Sequence, residues 1–170
     1  TLAWLKYPSP TAADAQNGYL ALLALDARAA DPLAAAAAVL HEERAIFAAT
    51  RSSQQQAGPH YADIRARLLQ PAGTRIPLDD CRDKCLDYML AHAEKMTQLA
   101  NKHAGLLARY RAMLDFPAYA EDIPRDPRAL YPNHGLAYSL GLLYLQSVVS
   151  AIQHGDAQAA YRAWAHHQRF

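Results

Sequence analysis

From Cys85 to Leu114 apolar residues return every three or four positions, at Leu86, Met89, Leu90, Ala93, Met96, Leu99, Ala100, Leu106, Leu107, Tyr110, Met113 and Leu114. That is the period of a helix with one buried face, and so long a stripe requires other helices to cover it. The composition points the same way. Alanine is heavily used, glycine is limited to 7 residues, and Val, Ile and Thr are sparse, so intrinsic preference favours helix over strand outside the proline-rich connections. The fold expected is all-α, an antiparallel helical bundle or a short helical-hairpin array. A length of 170 residues suffices for a single helical domain over 1–170 with one substantial core.

Punctuation places the elements. A first helix is expected over 11–29, capped by Ser9 or Thr11 and interrupted early by Asn17-Gly18. Asp31-Pro32 restarts the chain as an N-cap followed by proline at the first helical position, for a second helix over 31–51. Gly58-Pro59, Pro71-Ala72-Gly73 and Pro77 then break up the chain, leaving room for one short helix over 61–69. Asp79 and Asp80 open the long helix, 80–114, which is either continuous or bent at Gly105 and ends before Phe116-Pro117. Residues 118–131, with Pro124 and Pro127, read as an exposed crossing connection.

Two further helices are expected, 133–154 and 156–170, separated by the stop and new N-cap of Gly155-Asp156. The turn is similar to those of helical-hairpin repeats such as tetratricopeptide repeats, although no second copy recurs at a fixed period. The stretch 135–153 carries no formal charge and approaches membrane-spanning length, but Ser139, Gln146, Ser150 and Gln153 recur on one side. It is therefore expected to be the central buried helix, not a membrane span. Leu136, Leu140, Leu143, Tyr144 and Val148 should be shielded by the neighbouring helices, in particular by Tyr161 and Trp164 returning through the Gly155-Asp156 turn. The chain ends on apolar Phe170 with no stop signal before it, so the natural protein is expected to continue.

Composition limits the functions. Hydrophobic residues at 52% exclude disorder, while a net charge of +1 and scattered basic residues give no field to gather phosphates, so nucleic acid is not an expected partner. The sequence contains no phosphate-binding glycine loop, dinucleotide fingerprint, nucleophile elbow or zinc-protease pair. His41-Glu42-Glu43 reads as a solvated face, because neighbours on a helix diverge. No catalytic residues and no cofactor are assigned.

Two constellations remain. Cys85, Met89, His92, Met96 and His103 share one seam of the long helix and form the kind of donor set that suits Cu(I) or haem iron. Yet the seam runs on through Leu99, Leu106, Tyr110 and Met113 as an ordinary core stripe would, so packing without metal is expected, with His92 and His103 facing the interior or a shallow groove. Cys81 and Cys85 are four residues apart, near the limit for bridging on a regular helix, so a disulfide needs Cys81 in an unwound first turn. A bridged pair, free thiols and a metal-binding or reactive pair are all open readings.

Asn17 to Asp26, Ala30-Asp31-Pro32, Cys85-Leu86 and Leu106 to Leu114 resemble a family of uncharacterised proteobacterial envelope proteins. The resemblance implies a helical domain that is roughly the N-terminal half of such a protein, in the periplasm behind an inner-membrane anchor, with a chance that Cys81 and Cys85 are oxidised. It implies no functional residues.

The leading expectation is a non-catalytic interaction or scaffold module of the bacterial cell envelope, binding another protein or the remainder of its own chain. The first alternative is a small-molecule or lipid-binding domain with an apolar pocket lined by 135–153. The second is an enzyme or metalloprotein using the soft stripe, or His41, His134 and His154 brought together by folding.

Overall fold

The computed structural model describes residues 16–52, 61–78, 84–121 and 131–168, with backbone alone for 49–52. Among these residues 72% are helical, in eight helices without a strand, so the fold is all-α as expected.

The first described helix, α1 (Gly18–Ala24), is shorter than its periodicity suggested. It begins at the interruption and not before it. Asn17 is the N-cap, and its Oδ1 accepts from Tyr19 N at 3.1 Å. The same side chain clamps a distant segment: Oδ1 also accepts from Ala120 N at 2.9 Å and Nδ2 donates to Ala120 O at 2.8 Å. The proposed caps Ser9 and Thr11 lie outside the described residues. All seven residues of α1 are buried. A helix so short is not stable alone, and apolar contact on every side is what maintains it. At its far end Arg109 Nη1 donates to the carbonyls of Leu25 and Ala27, at 3.3 and 2.7 Å.

Helix α2 (Pro32–Ser52) starts as expected, with Asp31 Oδ1 accepting from Ala34 N at 3.0 Å. Ala36, Val39, Leu40 and Glu43 form its buried stripe, turned toward α1 and α3 (Tyr61–Leu68). After α3 the chain doubles back beside the end of α1, with Ala72 N donating to Asp26 O at 2.9 Å and Arg28 N to Leu69 O at 3.0 Å.

The long helical stripe is three helices, α4 (Cys85–Ala91), α5 (Ala93–Lys102) and α6 (Ala104–Leu114). The breaks fall at His92 and His103, not at Gly105. At His92 the ring competes for the helix's own acceptor: Nδ1 lies 3.0 Å from Tyr88 O, which also receives the His92 backbone N–H at 2.9 Å.

Helix α7 (His134–Gln153) packs against α4, α5, α6 and the returning α8 (Ala157–His167). Asn133 and Asp156 cap the two helices, accepting from Leu136 N at 3.0 Å and Ala159 N at 2.8 Å. Gly155, at φ 75°, makes the left-handed turn between them. By length and composition α7 could cross a bilayer, yet Leu136, Leu140, Leu143, Tyr144 and Val149 are all buried. Val148 is only partly buried, its neighbour Val149 taking the inward position. One contiguous apolar core links α1 and α2 to α6 and α7.

Candidate functional site

The triplet His41-Glu42-Glu43 does not form a single solvated face. His41 is exposed and Glu42 pairs at the surface with Arg67, but Glu43 is fully buried because it continues the Ala36, Val39, Leu40 stripe. A buried carboxylate needs a partner, and α3 supplies it. Arg65 Nε donates to Glu43 Oε1 at 2.7 Å and Nη2 to Oε2 at 3.2 Å, while Nη1 donates to Tyr131 O at 3.1 Å. Tyr19 of α1 lies within electrostatic reach of both charges, and its hydroxyl is buried without a hydrogen-bond partner. Burial drives its pKa up, against the opposing pull of Arg65.

Beside this pair is a cleft of about 270 Å³ between α1, α3, the returning loop and the approach to α7. Leu22, Leu23, Leu69 and Pro71 give it an apolar wall, and Arg65 and Asp26 contribute its charged groups. Asp26 is 7% exposed. Its Oδ2 accepts from Thr74 N at 3.0 Å, and its Oδ1 is buried without any partner. No sequence pattern signals this grouping, since it depends on the backbone return at Pro71 to Thr74.

A second polar cluster joins α6, α7 and α8. Tyr144 Oη lies 3.0 Å from His166 Nδ1, and His166 Nε2 lies 2.9 Å from Asp115 Oδ1. As Asp115 can only accept when ionised, the consistent arrangement has His166 donating from Nε2 and Tyr144 donating to Nδ1. Tyr110 Oη and His167 Nδ1 are 3.2 Å apart. Gly141 permits this approach: a Cβ there would meet Tyr110 Oη at 3.0 Å and His167 Cε1 at 3.4 Å. The order carboxylate, imidazole, hydroxyl is that of a proton relay, but Tyr144 is buried and its pKa is raised by that burial. The Tyr110 hydroxyl is pushed up to about 12 for the same reason. These hydroxyls act as hydrogen-bond donors that lock α8 in place.

The lock sets what α8 shows to solvent. Ala160 turns inward with His166 and His167, leaving Tyr161 67% and Trp164 47% exposed, with ring centroids 6.2 Å apart. The neighbouring helices do shield Leu136, Leu140, Leu143 and Tyr144, but Tyr161 and Trp164 are not buried over them as expected. Histidine contacts with Tyr110 and Tyr144 fix the helix rotation instead.

The soft stripe does not come together as a ligand set. Met89 and Met96 are buried, whereas His92 is exposed and stacked on Tyr88 at 4.3 Å, contrary to its expected inward orientation. His103 is partly buried and stands eleven residues further on, about 16 Å along a helix. Cys85 is disulfide-bonded and offers no thiolate; the chain's other cysteine, Cys81, lies outside the described residues. His134 and His154 stand at opposite ends of α7, about 30 Å apart for a helix of this length, and His41 is on α2, so folding does not gather them. The cleft also differs from the apolar pocket expected along 135–153: Pro132 and Asn133 line it, ahead of that run.

Comparison with protein-family models, with curated proteins and with solved structures finds no match.

Proposed function

We infer that this chain is a non-catalytic helical interaction module of the cell envelope, which docks another protein through the outer flank of α8. The observation that carries this reading is the neighbouring pair Tyr161 and Trp164, two large aromatics in solvent on a helix whose rotation is fixed by hydrogen bonds from its other side. Aromatic side chains held rigidly at a surface are the usual anchors of protein interfaces, because they bury much area while losing little conformational freedom. The disulfide at Cys85 fits an oxidising compartment, as does the resemblance to periplasmic proteins. In this reading α7 is a core helix, with Leu136, Leu140, Leu143, Tyr144 and Val149 buried where it packs against α4, α5, α6 and α8.

The test places a photoreactive amino acid at Tyr161 or Trp164 in the chain expressed in the periplasm, with the exposed Arg162, turned about 100° from Tyr161 and farther from Trp164 around α8, as control. A discrete protein adduct from the first two positions and none from Arg162 is expected. Equal adducts from all three, or adducts with lipid alone, would overturn the reading.

A further inference from the structure

We propose that the cleft beside Asp26 binds a small primary amine carrying an apolar body. Its two ends differ in charge. At one, Arg65 is already neutralised by both oxygens of Glu43 and spends a further donor on Tyr131 O. At the other, Asp26 has no cation in hydrogen-bonding contact, and one of its two oxygens has no hydrogen bond at all. The cleft thus sets a carboxyl group with an unused acceptor oxygen beside an apolar wall, while the nearby Arg109 is spent on the carbonyls of Leu25 and Ala27. Leaving such an oxygen buried and unpaired is costly, and a ligand N–H supplies the missing hydrogen bond together with the opposite charge.

The remaining features narrow the ligand. A bare metal ion would call for several further oxygen ligands, and among the described residues no three His, Cys, Asp or Glu side chains gather around one point. Leu22, Leu23 and Leu69 favour a hydrocarbon or aromatic body. A volume of about 270 Å³, at ~30 Å³ for each water-sized group, admits a ligand of about nine heavy atoms. Phenethylammonium has that size. The unpartnered Oδ1 of Asp26 orients it, holding the ammonium at the Asp26 end.

The experiment is calorimetric titration of the whole chain with three probes of nearly equal shape: phenethylammonium, phenethyl alcohol and phenylacetate. Phenethylammonium should bind at least about tenfold more tightly than the alcohol, the equivalent of ~1.4 kcal/mol, and phenylacetate should bind most weakly. Asp26→Asn keeps an oxygen for Thr74 N but removes the charge, and should reduce the amine to the level of the alcohol. Ala66→Phe, an exposed change on α3 that fills the cleft without touching Asp26, should abolish binding of both. Equal affinity for amine and alcohol, no binding of any probe, or binding indifferent to Ala66→Phe would each overturn the proposal. If Asp26→Asn fails to fold by circular dichroism, the comparison of probes on the unmodified chain and the Ala66→Phe variant still decides.

Discussion

Arg65 meets Glu43 through two nitrogens, at 2.7 and 3.2 Å, with the carboxylate fully buried between α2 and α3. Such a pair gains little over apolar residues of the same shape, but removing one partner leaves a charge without compensation. Glu43→Ala and Arg65→Ala should each lower the unfolding free energy by about 3–5 kcal/mol. Glu43→Leu combined with Arg65→Met should cost far less than either, and urea denaturation of the three variants measures the difference. A double variant as unstable as the single ones would show that the pair does more than satisfy itself.

Leu143 is 2% exposed on α7, and the helices around it cannot close over a missing isobutyl group without moving. Leu143→Ala should cost about 2–5 kcal/mol, as cavity-forming changes in cores do. Trp164→Ala should be nearly neutral by the same measurement, because its ring is half in solvent. A large loss at Trp164 with a small one at Leu143 would indicate that α8 sits on α7 with a different face inward.

Helix positions were legible because their signals are local. Asp31-Pro32, Asn133 and Gly155-Asp156 each act within a few residues of themselves, and each starts or stops a helix where the sequence places it. What could not be read depends on partners far along the chain. Glu43 looked solvated because its immediate neighbours are charged, although its spacing from Val39 and Leu40 already put it on the buried stripe; only Arg65, 22 residues on, makes that burial tolerable. Asp26 gave no warning, since its surroundings come from the loop at Thr74. The rotation of α8 was misjudged for a related reason: hydrophobicity favoured Trp164 and Tyr161 inward, but the hydroxyls of Tyr110 and Tyr144, inside the core, required hydrogen-bond partners, and His166 and His167 supply them.

Asn17 uses both ends of its amide, joining the start of α1 to Ala120 across 103 residues of chain. Asn17→Ala deletes the cap and the clamp together and should cost about 1–3 kcal/mol. Asn17→Asp retains the oxygen for Tyr19 N and Ala120 N but has no N–H for Ala120 O, so its loss should be smaller than that of alanine. Amide hydrogen exchange at Gly18 and Ala120 locates the effect, because Gly18 N also donates to Ala118 O at 2.8 Å and should exchange faster once the clamp is gone. Unchanged protection at both amides in Asn17→Ala would argue against the clamp.

The last prediction follows from His167, whose ring lies against Tyr110 and Tyr144 next to His166. Burial lowers its pKa from the ordinary 6.5, and the neighbouring His166 lowers it further. Arg111, over the Tyr144 ring at 5.7 Å, adds another positive group to the same corner, while the carboxylate of Asp115 is bonded to His166 instead. A base whose folded pKa lies below its unfolded value takes up its proton more readily when unfolded. Its contribution to stability is therefore complete above pH 6.5 and is lost as the pH falls through 6.5 toward the lower folded value. The docking of α8 should weaken over that interval, and with it the fixed orientation of Tyr161 and Trp164. Urea midpoints at successive pH values from neutral downward should fall for the unmodified chain and fall less for His167→Gln, which cannot titrate. Parallel curves for the two proteins would place the acid sensitivity elsewhere, whereas a shallower curve for the glutamine variant alone would assign it to this histidine.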